Sequence, residues 1–232
     1  MNLHEPPLES SRRSFLNSLA AGAATIALPS IIPTSELMAD ETRRLNPEDP
    51  QAWMEKIKGK HKVVFDATQP NGIMPFAWPR VFLMTNVASG ALEKDCCAVV
   101  VLRHDAIPYA FEDRLWEKYK FGEVFKAPDP ATKNPSTRNP FWKPASGAFS
   151  VPGIGEVKIG INELQASGVM FCVCSAAITV FSASVASSTN KNAEEVKNDW
   201  MSGLIPGIQP VPSGVWALGR AQEKGCGYIF AG

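Results

Sequence analysis

Two cysteines one residue apart, Cys172 and Cys174, close the apolar run VMFCVC where it gives way to the small-residue segment SAAITV. Three roles fit that pair: a reactive thiol, part of a metal site, or core packing. The first depends on the junction. A helix start offers free amide donors and a partial positive charge. Both favour thiolate over thiol, and thiolate is the nucleophile. Cys174 stands at that junction; Cys172 does not. Two strand residues at this spacing point to the same face, but roughly 7 Å of backbone separates them, too far for a relaxed disulfide. Core packing is the default for Cys96, Cys97 and Cys172, because free cysteine behaves as a small hydrophobe. Cys172, Cys174, His104 and Cys226 are of metal-ligand type. No C-x-x-C or H-x-x-x-H spacing organises them, so no metal is expected.

The other chemistry-bearing residues fall at the ends of apolar runs. Arg103, His104 and Asp105 follow CCAVVVL. Arg103 or His104 beside Cys174 would support its thiolate. His104 with Asp105 reads equally as a general acid–base pair or as a bond that fixes a loop. Asp66, Asn71 and Gly72 follow HKVVF, and Ser213 follows GIQPVP. These four are candidates for holding a small ligand. Ser213 also reads as a helix N-cap, and no G-x-S-x-G elbow surrounds it.

Elements that would position these groups follow from periodicity. HKVVFDAT, CCAVVVLRH, VMFCVC, GIQPVPSG and CGYIFAG read as strands. Helical spacing marks residues 76–92, with Pro79 in the first turn, then FEDRLWEKY. A helix is expected over 154–168, capped by Gly168. SAAITVFSASVASS, NAEEVKNDWMSGL and VWALGRAQEKG complete the helices. Strands alternating with helices imply an α/β fold with a mainly parallel sheet covered on both faces. In such a sheet, sites form beyond the C-terminal strand ends, where the candidates above collect. Residues 125–152, rich in Pro, Asn, Ser and Thr, read as a surface excursion covering that rim, with Phe141 and Trp142 as ligand anchors or as pins to the core. GIGEVKIG lacks G-x-G-x-x-G spacing, and no Walker loop occurs, so no nucleotide cofactor is expected.

The chain has 232 residues, with 23 basic and 23 acidic side chains. Zero net charge and no basic–aromatic run argue against nucleic acid as a partner. The N-terminal SSRRSFLNSLAAGAATIALPSIIP fits the twin-arginine export pattern at Ser11, Arg12, Arg13, Phe15 and Leu16. Its apolar part is weak for a permanent membrane span. We expect a signal segment over 1–39, a polar linker with a short helix over 40–60, and a domain over 61–232. Ala39 is the expected cleavage point; uncleaved anchoring is the alternative. Twin-arginine export moves folded proteins, so the fold should not need disulfides, while the periplasm could oxidise exposed thiols. Five cysteines leave at least one unpaired in a monomer.

HKVVFDATQPNG, VVLRHDAIPYAF, GVMFCVCSAA and PSGVWALGRAQEKGCGYIFAG together resemble the DsrE/DsrF-like family, and more narrowly its exported, twin-arginine-signal branch. The resemblance spans 61–232. It implies a flavodoxin-like three-layer sandwich and homo-oligomers, often trimers or hexamers. It also implies a sulfur relay, in which a cysteine after a strand carries a persulfide in a Gly-Val…Cys-x-Ala-Ala context. Gly168, Val169, Cys174, Ala176 and Ala177 match. The relay members' Arg-Gly pair in the following helix is missing here, and those members work in the cytoplasm. The leading expectation is therefore a periplasmic sulfur carrier acting through Cys174, tuned by Arg103 and His104, with Asp105 orienting His104 and a sulfur-transfer protein as partner. The alternatives are a non-catalytic binding module and a redox role pairing Cys174 with Cys172 or Cys226.

Overall fold

A computed structural model describes residues 49–232; the signal segment expected over 1–39 and residues 40–48 of the expected linker lie outside the described residues. Five parallel strands form the central sheet: β1 (His61–Ala67), β2 (Cys96–Leu102), β5 (Met170–Cys174), β6 (Ile208–Val211) and β7 (Gly227–Phe230). Their spatial order is β6-β5-β2-β1-β7. A two-residue hairpin of β3 (Ser150–Val151) and β4 (Gly155–Glu156) stands apart. The architecture is an α/β sandwich with helices on both sheet faces, consistent with the flavodoxin-like three-layer arrangement expected from the sequence.

The strand order explains the layers. From β1 through β2 and β5 to β6 the chain steps one way across the sheet; from β6 to β7 it returns to the far side of β1. Parallel crossovers are right-handed, so reversing the step moves the connecting helix to the other face. That helix is α8 (Gly214–Glu223). Its Ala217, Leu218 and Ala221 pack with Val64, Cys97, Val99, Val101, Cys172 and Val211 in one core. Helix α1 (Pro50–Met54) joins it through Trp53 and Met54, and Ile57 follows just beyond the helix, so this segment packs on the fold rather than serving as a free linker.

The opposite face carries the larger core. Alternate strand residues Val63, Phe65, Ala98, Val100, Leu102, Phe171 and Val173 point there. They meet α2 (Met74–Ala88), α3 (Asp113–Tyr119), α4 (Phe121–Val124), α5 (Ile161–Ala166), α6 (Ser175–Ser188) and α7 (Ala193–Ser202). Burial on both faces is why β2 reads CCAVVVL with no polar alternation.

Three details depart from the expectations. Pro75, not Pro79, takes the first turn of α2; Pro79 lies further in and removes the donor that would reach the Pro75 carbonyl. The helix expected over 154–168 is confined to Ile161–Ala166, because Gly153 and Gly155 adopt positive φ (80° and 90°) and turn the chain into the hairpin. The Gly160 amide donates to Glu163 Oε2 at 2.9 Å at the helix start, and Gly168 ends it at φ 82°.

Residues 125–152 are more than a surface excursion. Asn139 is fully buried; its Nδ2 donates to the carbonyls of Tyr109 (2.9 Å) and Phe111 (3.0 Å), and its Oδ1 accepts from the Phe141 amide (3.1 Å). Phe141 stacks between Phe76 and Phe149, with ring centroids 4.0 Å and 5.2 Å away. The phenylalanine is a core pin, not a ligand anchor.

Candidate functional site

Asp66, Arg103 and Cys174 meet at the C-terminal edge of the sheet. Asp66 follows Val64 on the α8 face of β1, and Arg103 stands two residues beyond Val101 on the same face of β2. Cys174 is likewise two residues beyond Cys172 on β5. The β2–β5 ladder ends at Leu102 opposite Val173, so Arg103 and Cys174 are the next residues on neighbouring strands. Strand alternation then sets both side chains on one face.

Arg103 grips Asp66 with two bonds: Nε to Oδ1 at 2.7 Å and Nη2 to Oδ2 at 2.9 Å. The Tyr228 hydroxyl donates to the same Oδ2 at 2.8 Å. The Asp66 side chain is 2 % exposed and that of Arg103 27 %, so the ion pair is planted in the sheet with its cationic end at the rim. The Asp66 hydrogen bonds raise the Arg103 guanidinium above its ordinary value; burial opposes them, and the charges of Asp66, Tyr228 and Cys174 add to the rise. Burial, then the bond to Asp66, raise the Tyr228 phenol.

Cys174 is the N-cap of α6. Its Sγ accepts the Ala177 amide at 3.3 Å, as a serine or aspartate would at that position. The residue is buried, 7 % exposed as a whole. Next to it, the Ser175 hydroxyl is buried and has no hydrogen-bond partner among the described residues.

Ser213 caps α8: its Oγ accepts the Trp216 amide at 3.2 Å. Gly214 then lies against Arg103 so closely that a Cβ there would come 2.6 Å from Arg103 Cβ. The start of α8 is thereby brought to the Arg103 rim.

The remaining candidates are placed differently. His104 leaves β2 in a left-handed conformation (φ 51°), its Nδ1 is 3.2 Å from Asp105 Oδ2, and its ring meets Phe181 of α6 edge-on at 5.7 Å. Phe181 packs against the larger core, so the His104–Asp105 pair turns toward the face opposite Arg103. Asn71 Nδ2 donates to the Ala231 carbonyl at 3.1 Å, and Thr68 donates through both its amide and its hydroxyl to the Gly232 oxygen. Asn71 therefore ties the loop after β1 to the chain after β7. Gly72 supplies that loop with a positive φ of 54°.

Among the other thiols, Cys172 is fully buried, and burial pushes it far above the ordinary thiol range. Cys226 precedes β7, at the opposite end of the parallel sheet from Cys174, which excludes the Cys174–Cys226 pairing in this fold. Burial, with the charge of nearby Cys97, pushes Cys226 up to about 11. No group of three metal-ligating side chains occurs among the described residues.

Sequence reasoning missed Tyr228. Its only signal was a hydroxyl in the closing strand GYIF, and its role depends on β7 pairing with β1, with Tyr228 opposite Val64. A groove of about 530 Å3 lies between α2 and α5, lined by Arg80, Leu83, Met84, Val87, Glu93 and Ser167. Glu93, just before β2, and Ser167, shortly before β5, place it on the N-terminal side of those strands. Arg80 is already committed there, to the Lys158 and Glu163 carbonyls and Ser167 Oγ.

No protein-family model matches the chain, and no curated protein matches it. Among solved structures, it is similar to MTH1491 of Methanobacterium thermoautotrophicum, described as a protein of unknown function. That alignment has 15 % identity and a TM-score of 0.37, and covers 73 % of this chain and 98 % of the other.

Proposed function

We propose that the protein is an exported, DsrE-like thiol protein that carries or relays sulfur on Cys174. The observation behind this is the Cys174 sulfur accepting a helix-start amide at 3.3 Å on the strand next to Arg103. Amide and guanidinium both favour a sulfur bearing negative charge. In this reading Arg103 supports the thiolate, and Asp66 and Tyr228 hold Arg103. His104 with Asp105 shapes the rim. Export by the twin-arginine route would place the protein in the periplasm, and a homo-oligomer would form there. The edge strand β7, whose Tyr228, Ile229 and Phe230 are each partly exposed, supports the oligomer.

The test is mass spectrometry of the protein recovered from the periplasm, in a Cys96→Ser background that removes the half-buried competing thiol. A mass gain of about 32 Da on Cys174, reversed by a reductant, is the expected persulfide. A Cys174 that resists both sulfur loading and small thiol reagents in the folded protein refutes the reading.

A second reading, a binding module without chemistry, draws on the groove between α2 and α5. A ligand seated there would raise the melting temperature equally in the parent and in Cys174→Ser.

A further inference from the structure

The groove between α2 and α5 holds a cation with no carboxylate bonded to it. Arg80 uses three of its five N–H groups. They go to the Lys158 carbonyl at 2.7 Å, the Ser167 hydroxyl oxygen at 3.0 Å and the Glu163 carbonyl at 3.3 Å. All three acceptors are neutral. Glu163 turns its carboxylate elsewhere, to the Gly160 amide. Burial lowers the Arg80 guanidinium from its ordinary value, and the charge of Glu163, which makes no ion pair with it, opposes that. One hydrogen on Nη1 and one on Nη2 remain, enough for the two-pronged grip of a carboxylate.

Beside this cation the walls are apolar. Leu83, Met84, Val87, Ala88 and Ala166 line a space of about 530 Å3, within the usual range for a small-molecule site. Met84 and Val87 are exposed, so a seated ligand would remove apolar surface from water. Glu93 lines the groove too, and its carboxylate has no hydrogen bond or ion pair among the described residues. From Arg80 to Val87 the helix rises about 10 Å, and Glu93 follows beyond its end. The two charges therefore stem from opposite ends of the α2 wall.

We infer that this groove binds an apolar-chain monocarboxylate, its carboxylate on Arg80 and its chain along Leu83, Met84 and Val87. The inference deepens the binding-module reading and rests on that reading's groove, not on Cys174. Charge and length choose the ligand. Arg80 selects a carboxylate over an amine or an alcohol. Glu93 disfavours a second carboxylate at the far end, which excludes dicarboxylates. The apolar wall of about 10 Å matches an extended chain of about eight carbons, so octanoate is the simplest probe.

The test titrates the full chain with octanoate, octanol, octylamine and suberate. Binding is followed by the methionine methyl signals in NMR spectra and by the melting temperature. Met84→Glu, a change at an exposed position, identifies the Met84 methyl by its disappearance. It also sets a carboxylate against that of the ligand. Octanoate should shift the Met84 methyl, raise the melting temperature and bind about tenfold more tightly than octanol or octylamine. Suberate should bind more weakly than octanoate, and Glu93→Gln should close that gap. Arg80→Gln and Met84→Glu should each weaken octanoate about tenfold; the second supplies the result should Arg80→Gln fail to fold. If octanol or octylamine moves Met84 as strongly as octanoate, the carboxylate assignment is overturned and the groove remains a binding site. Suberate binding as tightly as octanoate in the parent removes Glu93 from the selection. If no probe moves Met84, the inference fails and the groove reading falls with it.

Discussion

Asp66 is the residue on which the rim geometry depends. Its carboxylate lies almost wholly inside, and all three of its side-chain hydrogen bonds come from Arg103 and Tyr228. Replacing it by asparagine keeps the shape but leaves a guanidinium facing a neutral amide. Breaking a buried pair from one side costs about 3–5 kcal/mol. The partly exposed Arg103 recovers some hydration, so about 3 kcal/mol is expected, read as a lower urea midpoint with an unchanged slope. Tyr228→Phe removes one of three bonds and should cost about 1 kcal/mol by the same measurement. Cys172 provides the contrast. Its thiol is enclosed, and burial keeps it protonated, so it should stay unlabelled at pH 8 until the protein unfolds. Arg103, Cys174 and Asp66 were legible in the sequence because each ends an apolar run. Their convergence was not, since strand order decides which ends are neighbours. Tyr228 was invisible for the same reason, because an edge tyrosine acquires a role only once its neighbouring strand is known.

At the scale of elements, Asp199 of α7 clamps α3. It accepts from Arg114 Nη1, Lys118 Nζ and the Tyr119 hydroxyl, each at 2.7 Å. Burial works against its ionisation, but the Lys118, Arg114 and Tyr119 bonds outweigh it and hold the carboxyl down to about 2. A depressed folded-state value contributes stability that is complete above the unfolded value of about 4 and disappears as pH falls toward 2. Asp199→Asn should therefore be less stable than the parent at pH 7, and the two should converge near pH 2 in parallel denaturant titrations. Gly122 makes another prediction, because a Cβ there would come 2.2 Å from the Ser136 carbonyl oxygen. Gly122→Ala must push the 125–152 stretch off the core, and exchange protection of the Asn139 amide should fall with it. Most elements were legible where period and caps agreed, as in α6, α7 and α8. The sequence misled over 125–160. There, polar composition concealed a buried asparagine stitching phenylalanines together, and glycine-driven turns broke a helical pattern.

For the whole molecule, the exposed edge β7 makes the oligomer testable. Tyr228, Ile229 and Phe230 are 41–59 % exposed, on a strand bonded only to β1 among the described strands. Such an edge is a template for another chain. If assembly uses it, Ile229→Lys should shift the sedimenting species to the monomer while leaving the melting temperature of the dilute protein nearly unchanged. An unaltered mass distribution would move the interface elsewhere. The fold class was legible from strand–helix alternation alone, whereas the edge position of β7 depends on the return crossover, which the alternation does not encode.

That crossover also governs biosynthesis. Asp66 and Tyr228 are 162 positions apart, so the first strand leaves the ribosome long before its outer neighbour exists. Until then its carboxylate faces water and its flank stays open to strangers. The outer flank of the first strand can close only after Tyr228 has been synthesised, so folding of this half of the sheet waits on a contact 162 residues distant.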